Sequence, residues 1–213
     1  MMKEHPEYWY ILFLPGFLLC FFLVEKLVPS DCDYWVSHCR LDDYIPFLEI
    51  FVIPYCLWYP LLFCVGIYLM LTDPPELRRY AWFLIIGCGL SLLICLLFPN
   101  GQDLRPASFE HENFCTWLLG KIYAADTNTN VLPSMHVVGA FAAAVASRRS
   151  RKLRRWSPLV IAVAVLICIS TVFVKQHSML DIFAGILLAL PIWWALYLRK
   201  DRKLKRAKKE KPN

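Results

Sequence analysis

The sequence predicts an all-α, polytopic membrane protein with six transmembrane helices, the later ones forming a bundle around a site. Two patterns carry this reading: long apolar runs recur along the chain, and Lys and Arg crowd into alternate connections between them. Of the 213 residues, 58% are apolar and mean hydropathy is +0.47, against roughly 45–50% apolar in soluble domains. Aromatic residues make up 15%, as expected where Trp and Tyr sit at bilayer interfaces.

Six stretches approach the roughly 17–25 helical residues that cross a hydrocarbon core. They run over 8–25, 46–71, 81–98, 131–147, 157–174 and 179–198. Runs of this length exceed the strands of a soluble sheet, and a spanning backbone must satisfy its own hydrogen bonds, so they read as helices. The first lacks an A-x-A-like cleavage site and reads as an uncleaved span. The fourth, "HVVGAFAAAVAS", is short and Ala-rich.

Basic charge sets the orientation. With both termini cytoplasmic, eighteen Lys and Arg fall inside, and only Lys26, Arg40, Arg105, Lys121 and Lys175 fall outside. Residues 1–198 then form one membrane domain, and 199–213 a basic cytoplasmic tail suited to anionic lipid headgroups. Nucleic acid is excluded as a partner, because nothing folded presents those lysines. Six of the nine cysteines fall within spans as small hydrophobes. Cys32, Cys39 and Cys115 fall outside, leaving room for one external disulfide of undecided pairing. Without C-x-x-C pairs no zinc site is expected, and no metal or other cofactor is called for.

The external connections differ in character. The first, "PSDCDYWVSHCRLDDYIP", is acidic and aromatic. The second, residues 99–130, is the longest; it reads as irregular with a short interfacial helix around "FCTWLLGKIYA". Connections this long inside compact domains are usually functional or disordered. The third is only "KQHS".

Three polar patches converge on this outer face: Arg105 after the third span, Ser134 and His136 at the start of the fourth, and Lys175, His177 and Asp181 at the start of the sixth. His177 and Asp181 are i and i+4, neighbours on one helix face. A carboxylate on one imidazole nitrogen fixes the tautomer and frees the other to attack. The pairing also offsets the several kcal/mol or more of burying an aspartate in an apolar segment. His136 is placed to give and take a proton, Arg105 supplies a planar cation for phosphate oxygens, and the helix beginning at Pro133 offers free N–H groups to an anion. Together these describe phosphoryl transfer through a phosphohistidine, core signatures lying within 99–190.

The same residues resemble the type 2 phosphatidic acid phosphatase superfamily, which also holds vanadium haloperoxidases. Its signatures are K-x6-R-P, P-S-G-H and S-R-x5-H-x3-D. Here they read as Arg105-Pro106, Pro133-Ser134-Met135-His136, and Ser170-Thr171 followed by His177 and Asp181. The resemblance implies His177 as nucleophile, Asp181 as the orienter of His177, His136 as general acid and base, and Arg105, Ser134 and Met135 at the phosphate. It also shows departures: Phe98 and Thr171 stand where the family has Lys and Arg, and Met135 replaces Gly. That stripped pattern is similar to the inositol phosphorylceramide and sphingomyelin synthase branch. Lys175 is positioned to replace a lost cation, and Asp126, Asn128 and Asn130 to read a polar headgroup or to cap the turn into the fourth span.

The expected activity is therefore a metal-independent phosphoesterase acting on a membrane lipid phosphate at the outer face. Transfer of a phosphorylated headgroup to a lipid alcohol is the alternative, and a non-catalytic transporter or scaffold of the same fold is the reading from another class. A small chain with an outward site suits a bacterial cytoplasmic membrane.

Overall fold

The computed structural model describes residues 9–10, 12–28 and 32–199. Residues 1–8 and 200–213 lie outside them, and with them nearly all of the basic tail expected to meet anionic lipid. Among the described residues the helices are α1 (Phe13–Leu27), α2 (Val52–Cys56), α3 (Trp58–Thr72), α4 (Pro74–Leu97), α5 (Phe114–Ala125), α6 (Met135–Arg149), α7 (Ser157–Phe173) and α8 (Met179–Trp193). α2 and α3 continue one another within a helical rod over Glu49–Thr72. The break at Leu57 falls just before Pro60, which lacks the N–H that the Cys56 carbonyl would accept.

Four rods among the described residues are long and apolar enough to cross a membrane: Glu49–Thr72, Pro74–Leu97, Arg154–Phe173 and Met179–Leu198. The other two expected spans form shorter helices, α1 and α6, of 15 residues each. At about 1.5 Å per residue these are shorter than a hydrocarbon core of about 30 Å. The third expected span starts earlier than its apolar run. Pro74 and Pro75 occupy its first turn, and the Asp73 side chain accepts from the Glu76 N–H, so "PPELRR" is the opening of α4 and not a loop.

The short, Ala-rich α6 lies at the centre of the bundle, packed against α3, α4, α7 and α8. Its Ala140, Ala142, Ala143 and Ala146 are fully buried. Small residues let helix backbones approach closely where lipid offers no hydrophobic drive. One close crossing uses Gly185 of α8, where a Cβ would lie 2.9 Å from the Ser134 carbonyl oxygen. Bulk at a central helix would have pushed the rest of the bundle apart, which is why its hydropathy is modest.

At one end of the bundle the long connections are stitched together. Trp35–Val36 pairs in parallel with Asn100–Gly101, and Gly101 bridges to Thr129. α5 is the short helix expected around "FCTWLLGKIYA", and its Asn113 and Thr116 form a reciprocal capping box. Cys32, Cys39 and Cys115 are all free thiols.

Candidate active site

The turn between α7 and α8 positions the central imidazole. α7 ends with Lys175 in the left-handed region, φ 54°. Its N–H donates to the Val172 carbonyl, and the Gln176 N–H to the Thr171 carbonyl, the bonding of a Schellman motif. The His177 N–H also reaches the Thr171 carbonyl, at 3.1 Å. The chain therefore reverses within three residues and delivers His177 to the mouth of α8, where it is buried.

Asp181 meets it there. His177 Nδ1 lies 3.2 Å from Asp181 Oδ2, and the Ser178 N–H donates to the same oxygen at 2.8 Å. Ser178 and Asp181 form a capping box at the start of α8. The other carboxylate oxygen accepts from Ser37 Oγ at 2.5 Å. A fully buried carboxylate is thus satisfied on both oxygens, the condition under which a buried charge is tolerated.

His136 lies on the first turn of α6. Its ring centroid is 5.6 Å from that of His177, and it sits against Tyr55 at 4.5 Å and Trp58 at 4.8 Å. Trp58 Nε1 donates to the His136 carbonyl at 3.1 Å. α6 and α8 are joined directly, because the Ser134 N–H donates to the Asp181 carbonyl at 3.1 Å. Ser134 stands at the N-cap of α6, yet its hydroxyl caps nothing. Its Oγ is buried with no hydrogen-bond partner among the described residues.

Arg105 works inside the second long connection. Its Nη2 donates to the carbonyls of Asp126 and Thr127 at 2.8 and 2.6 Å and to Gln176 Oε1; its guanidinium lies 4.4 Å over the Tyr123 ring. Its Nε is buried and unpaired among the described residues. Gln176 Nε2 donates in turn to Asp126 Oδ2 at 3.1 Å. Burial pushes the Asp126 carboxyl up to about 6, with Glu25 adding to the push and Arg105 and His177 opposing it.

The remaining residues singled out in the sequence separate into two groups. Asp126 and Asn130 line the same cavity as Met135, His136 and His177. Asn128 instead donates to Tyr34 Oη at 2.9 Å and the Gln102 carbonyl at 3.0 Å, so it ties the connections together. Lys175 differs from expectation. Its Nζ donates to the carbonyls of Asp42 at 3.2 Å and Ile45 at 2.6 Å, because the left-handed turn at this residue directs the side chain to the first connection. Phe98 ends α4, packed on Trp35 at 5.9 Å, and the buried Thr171 hydroxyl donates to the Cys168 carbonyl at 2.8 Å. Neither position carries a cation.

The cavity holds about 260 Å³, with His136, His177, Asp126 and Gln176 among its walls and Phe17, Phe21, Phe22 and Tyr59 towards α1 and α3. A larger cleft of about 590 Å³ along α6, α7 and α8 is lined by aliphatic and aromatic side chains with Cys168 and Met179, and offers no comparable chemistry. Two histidines, one oriented by a satisfied carboxylate, thus face a single cavity beside an open helix N-terminus. A family model for the PAP2 superfamily matches residues 21–195. The chain belongs to this superfamily, that of the type 2 phosphatidic acid phosphatases. No curated protein and no solved structure matches it. Membership suggests phosphatase-type activity in this PAP2 protein, and the four membrane-length helices among the described residues agree with a membrane protein.

Several residues at the site carry no signal strong enough to be singled out from the sequence. Ser178 is the exception in retrospect, since S-x-x-D before an apolar run marks a capping box. Ser37, Tyr55 and Trp58 reach the site only through tertiary packing, and Ser37 comes from a connection with no signature of its own.

Proposed function

We propose that this PAP2-superfamily protein is a membrane-embedded phosphoesterase that removes phosphate from a lipid phosphate at the outer membrane face. In this reading α1 and α6 complete six spans, both termini are cytoplasmic, and the bias of basic residues towards the opposite end sets the orientation. The observation that carries the chemistry is the Nδ1 contact of His177 to Asp181, which leaves Nε2 for the cavity shared with His136.

In the first step His177 Nε2 attacks phosphorus and the bond from phosphorus to the lipid oxygen breaks. His136 supplies the proton to the departing lipid alcohol. Asp181 stabilises the charge that develops on the His177 ring through its Nδ1–H. In the second step water attacks the phosphohistidine, gives its proton to His136, and phosphate leaves. The phosphoryl oxygens are held by the unpaired Ser134 hydroxyl and the first N–H groups of α6, an anion site by geometry and dipole. Arg105 adds positive charge from behind the wall and holds Gln176 and Asp126 in place. Met135 shapes the rim, and Asp126 and Asn130 face the headgroup side. The reaction as written uses no metal.

A second reading is favoured by the missing cations. Phe98 and Thr171 leave Arg105 with little help against a doubly charged phosphate monoester. A singly charged phosphodiester headgroup, passed to a lipid alcohol in place of water, suits this balance better.

The test is phosphate release by purified protein in detergent from lipid phosphate monoesters, with EDTA and vanadate controls and His177→Ala alongside. Vanadate-sensitive release that persists in EDTA and vanishes in the variant supports hydrolysis. Absence of release, with headgroup transfer once a phosphodiester lipid and a lipid alcohol are supplied, selects the second reading. Full activity in His177→Ala removes both.

A further inference from the structure

The first long connection reaches the catalytic dyad directly. Ser37 is fully buried, and its N–H donates to the Gly101 carbonyl at 2.7 Å, so the small strand pair fixes its backbone. Its Oγ lies 2.5 Å from Asp181 Oδ1 and 2.6 Å from Ser178 Oγ. An ionised carboxylate only accepts, so the Ser37 hydrogen must go to Asp181. The Ser178 hydroxyl must then donate to Ser37. The result is a directed relay from Ser178 through Ser37 to the oxygen of Asp181 that His177 does not touch.

The same connection grips the nucleophile's turn at three further points. Asp42 Oδ1 accepts from the Met179 N–H at 2.8 Å, satisfying one of the orphan N–H groups that opens α8. Lys175 Nζ donates to the Asp42 and Ile45 carbonyls. The Leu48 N–H donates to the Phe173 carbonyl at 3.0 Å. The ammonium that sequence reasoning would give to phosphate is one of these ties, and it explains why a non-glycine residue holds the left-handed turn.

We infer that the first connection is a structural part of the nucleophile's setting, with Ser37 a positioning residue that acts on His177 through Asp181. This rests on the proposed role of His177. A hydrogen bond to the charged form of a carboxylate stabilises that form. Without it, Asp181 Oδ1 loses the hydroxyl that holds it, and the carboxylate is free to turn out of the geometry that orients His177 Nδ1. The carboxylate also loses one of the contacts that fix its rotamer. The substrate's own binding surface is untouched.

The experiment uses the full chain in detergent, with Ser37→Ala, Ser37→Thr and wild type. Two readouts are followed: the pH profile of kcat and KM for phosphate release, and the pH dependence of His177 carbethoxylation by diethyl pyrocarbonate, followed by peptide mass spectrometry. The account expects Ser37→Ala to lose about tenfold in kcat with KM nearly unchanged. The His177 carbethoxylation rate should change by more than twofold across the pH series, and Ser37→Thr should restore much of both. A kcat and a His177 carbethoxylation rate within twofold of wild type would overturn it, as would a loss confined to KM. If wild type releases no phosphate from any lipid, the hydrolase reading fails, while carbethoxylation still decides the link from Ser37 to His177.

Discussion

His177 Nδ1 and the Ser178 N–H converge on one oxygen of Asp181, Oδ2, at 3.2 and 2.8 Å. One carboxylate oxygen therefore both caps α8 and fixes the imidazole, so helix geometry and catalytic geometry are the same arrangement. Asp181→Asn presents either an amide N–H or a neutral oxygen to His177, and neither holds the tautomer as the carboxylate does. The expected loss in kcat is roughly 10²–10⁴-fold, with a smaller loss of stability from the weakened cap. Steady-state phosphate release with thermal unfolding on the same sample checks both.

Ser134 separates function from stability. Its hydroxyl is buried and unpaired among the described residues, and removing an unsatisfied polar atom does not destabilise. Ser134→Ala is expected to keep or slightly raise the unfolding temperature while weakening vanadate inhibition by about tenfold, the worth of one charge-assisted hydrogen bond. Unchanged vanadate affinity would take the hydroxyl out of the anion site.

Asp126 gives a pH dependence of stability. Its carboxyl is pushed up to about 6 in the fold, above the ordinary value of about 3.9. A raised carboxyl disfavours its ionised form, so below about pH 4 it carries no penalty. The penalty grows as pH rises through the window to about 6 and is then constant. At neutral pH it amounts to about 1–3 kcal/mol. Asp126→Asn should raise the unfolding temperature near neutral pH and leave it close to wild type near pH 4. An equal shift at both pH values would show that ionisation is not the cause.

Gly185 sets the distance between α6 and α8, the helices at whose starts His136 and His177 sit. A Cβ there would lie 2.9 Å from the Ser134 carbonyl oxygen and 2.9 Å from Val137 Cβ, and backbone has little room to yield. Gly185→Ala should cost about 1–3 kcal/mol by overpacking and reduce kcat, because α6 and α8 must separate. Gly16→Ala is the control: nothing lies within 4 Å of a Cβ there, and mid-helix alanine is neutral or slightly favourable. Comparable effects of both would count against the spacing argument.

The sequence made the helical class and the family legible because long apolar runs and fixed motif spacings are local properties. His177 and Asp181 could be paired from their i, i+4 spacing alone, and the structure has them in contact. The start of α4 was less legible, since Pro74 and Pro75 resemble a loop until Asp73 is seen to cap them. The central place of α6 was hidden by its low hydropathy, because burial among helices favours small residues over greasy ones. Lys175 is hard to read for a related reason: charge is visible in a sequence, but the direction of a side chain after a left-handed turn is not. Ser37 lies 144 positions from Asp181, and only the fold brings them together.

The most direct test of the account is rapid acid-free quenching of the enzyme during turnover of a radiolabelled lipid phosphate, followed by mapping of the labelled peptide. The account predicts an acid-labile, alkali-stable phosphoryl group on His177, formed and consumed fast enough for steady-state turnover and absent from His177→Ala. Turnover with no label on His177, or label that persists in the variant, would contradict it.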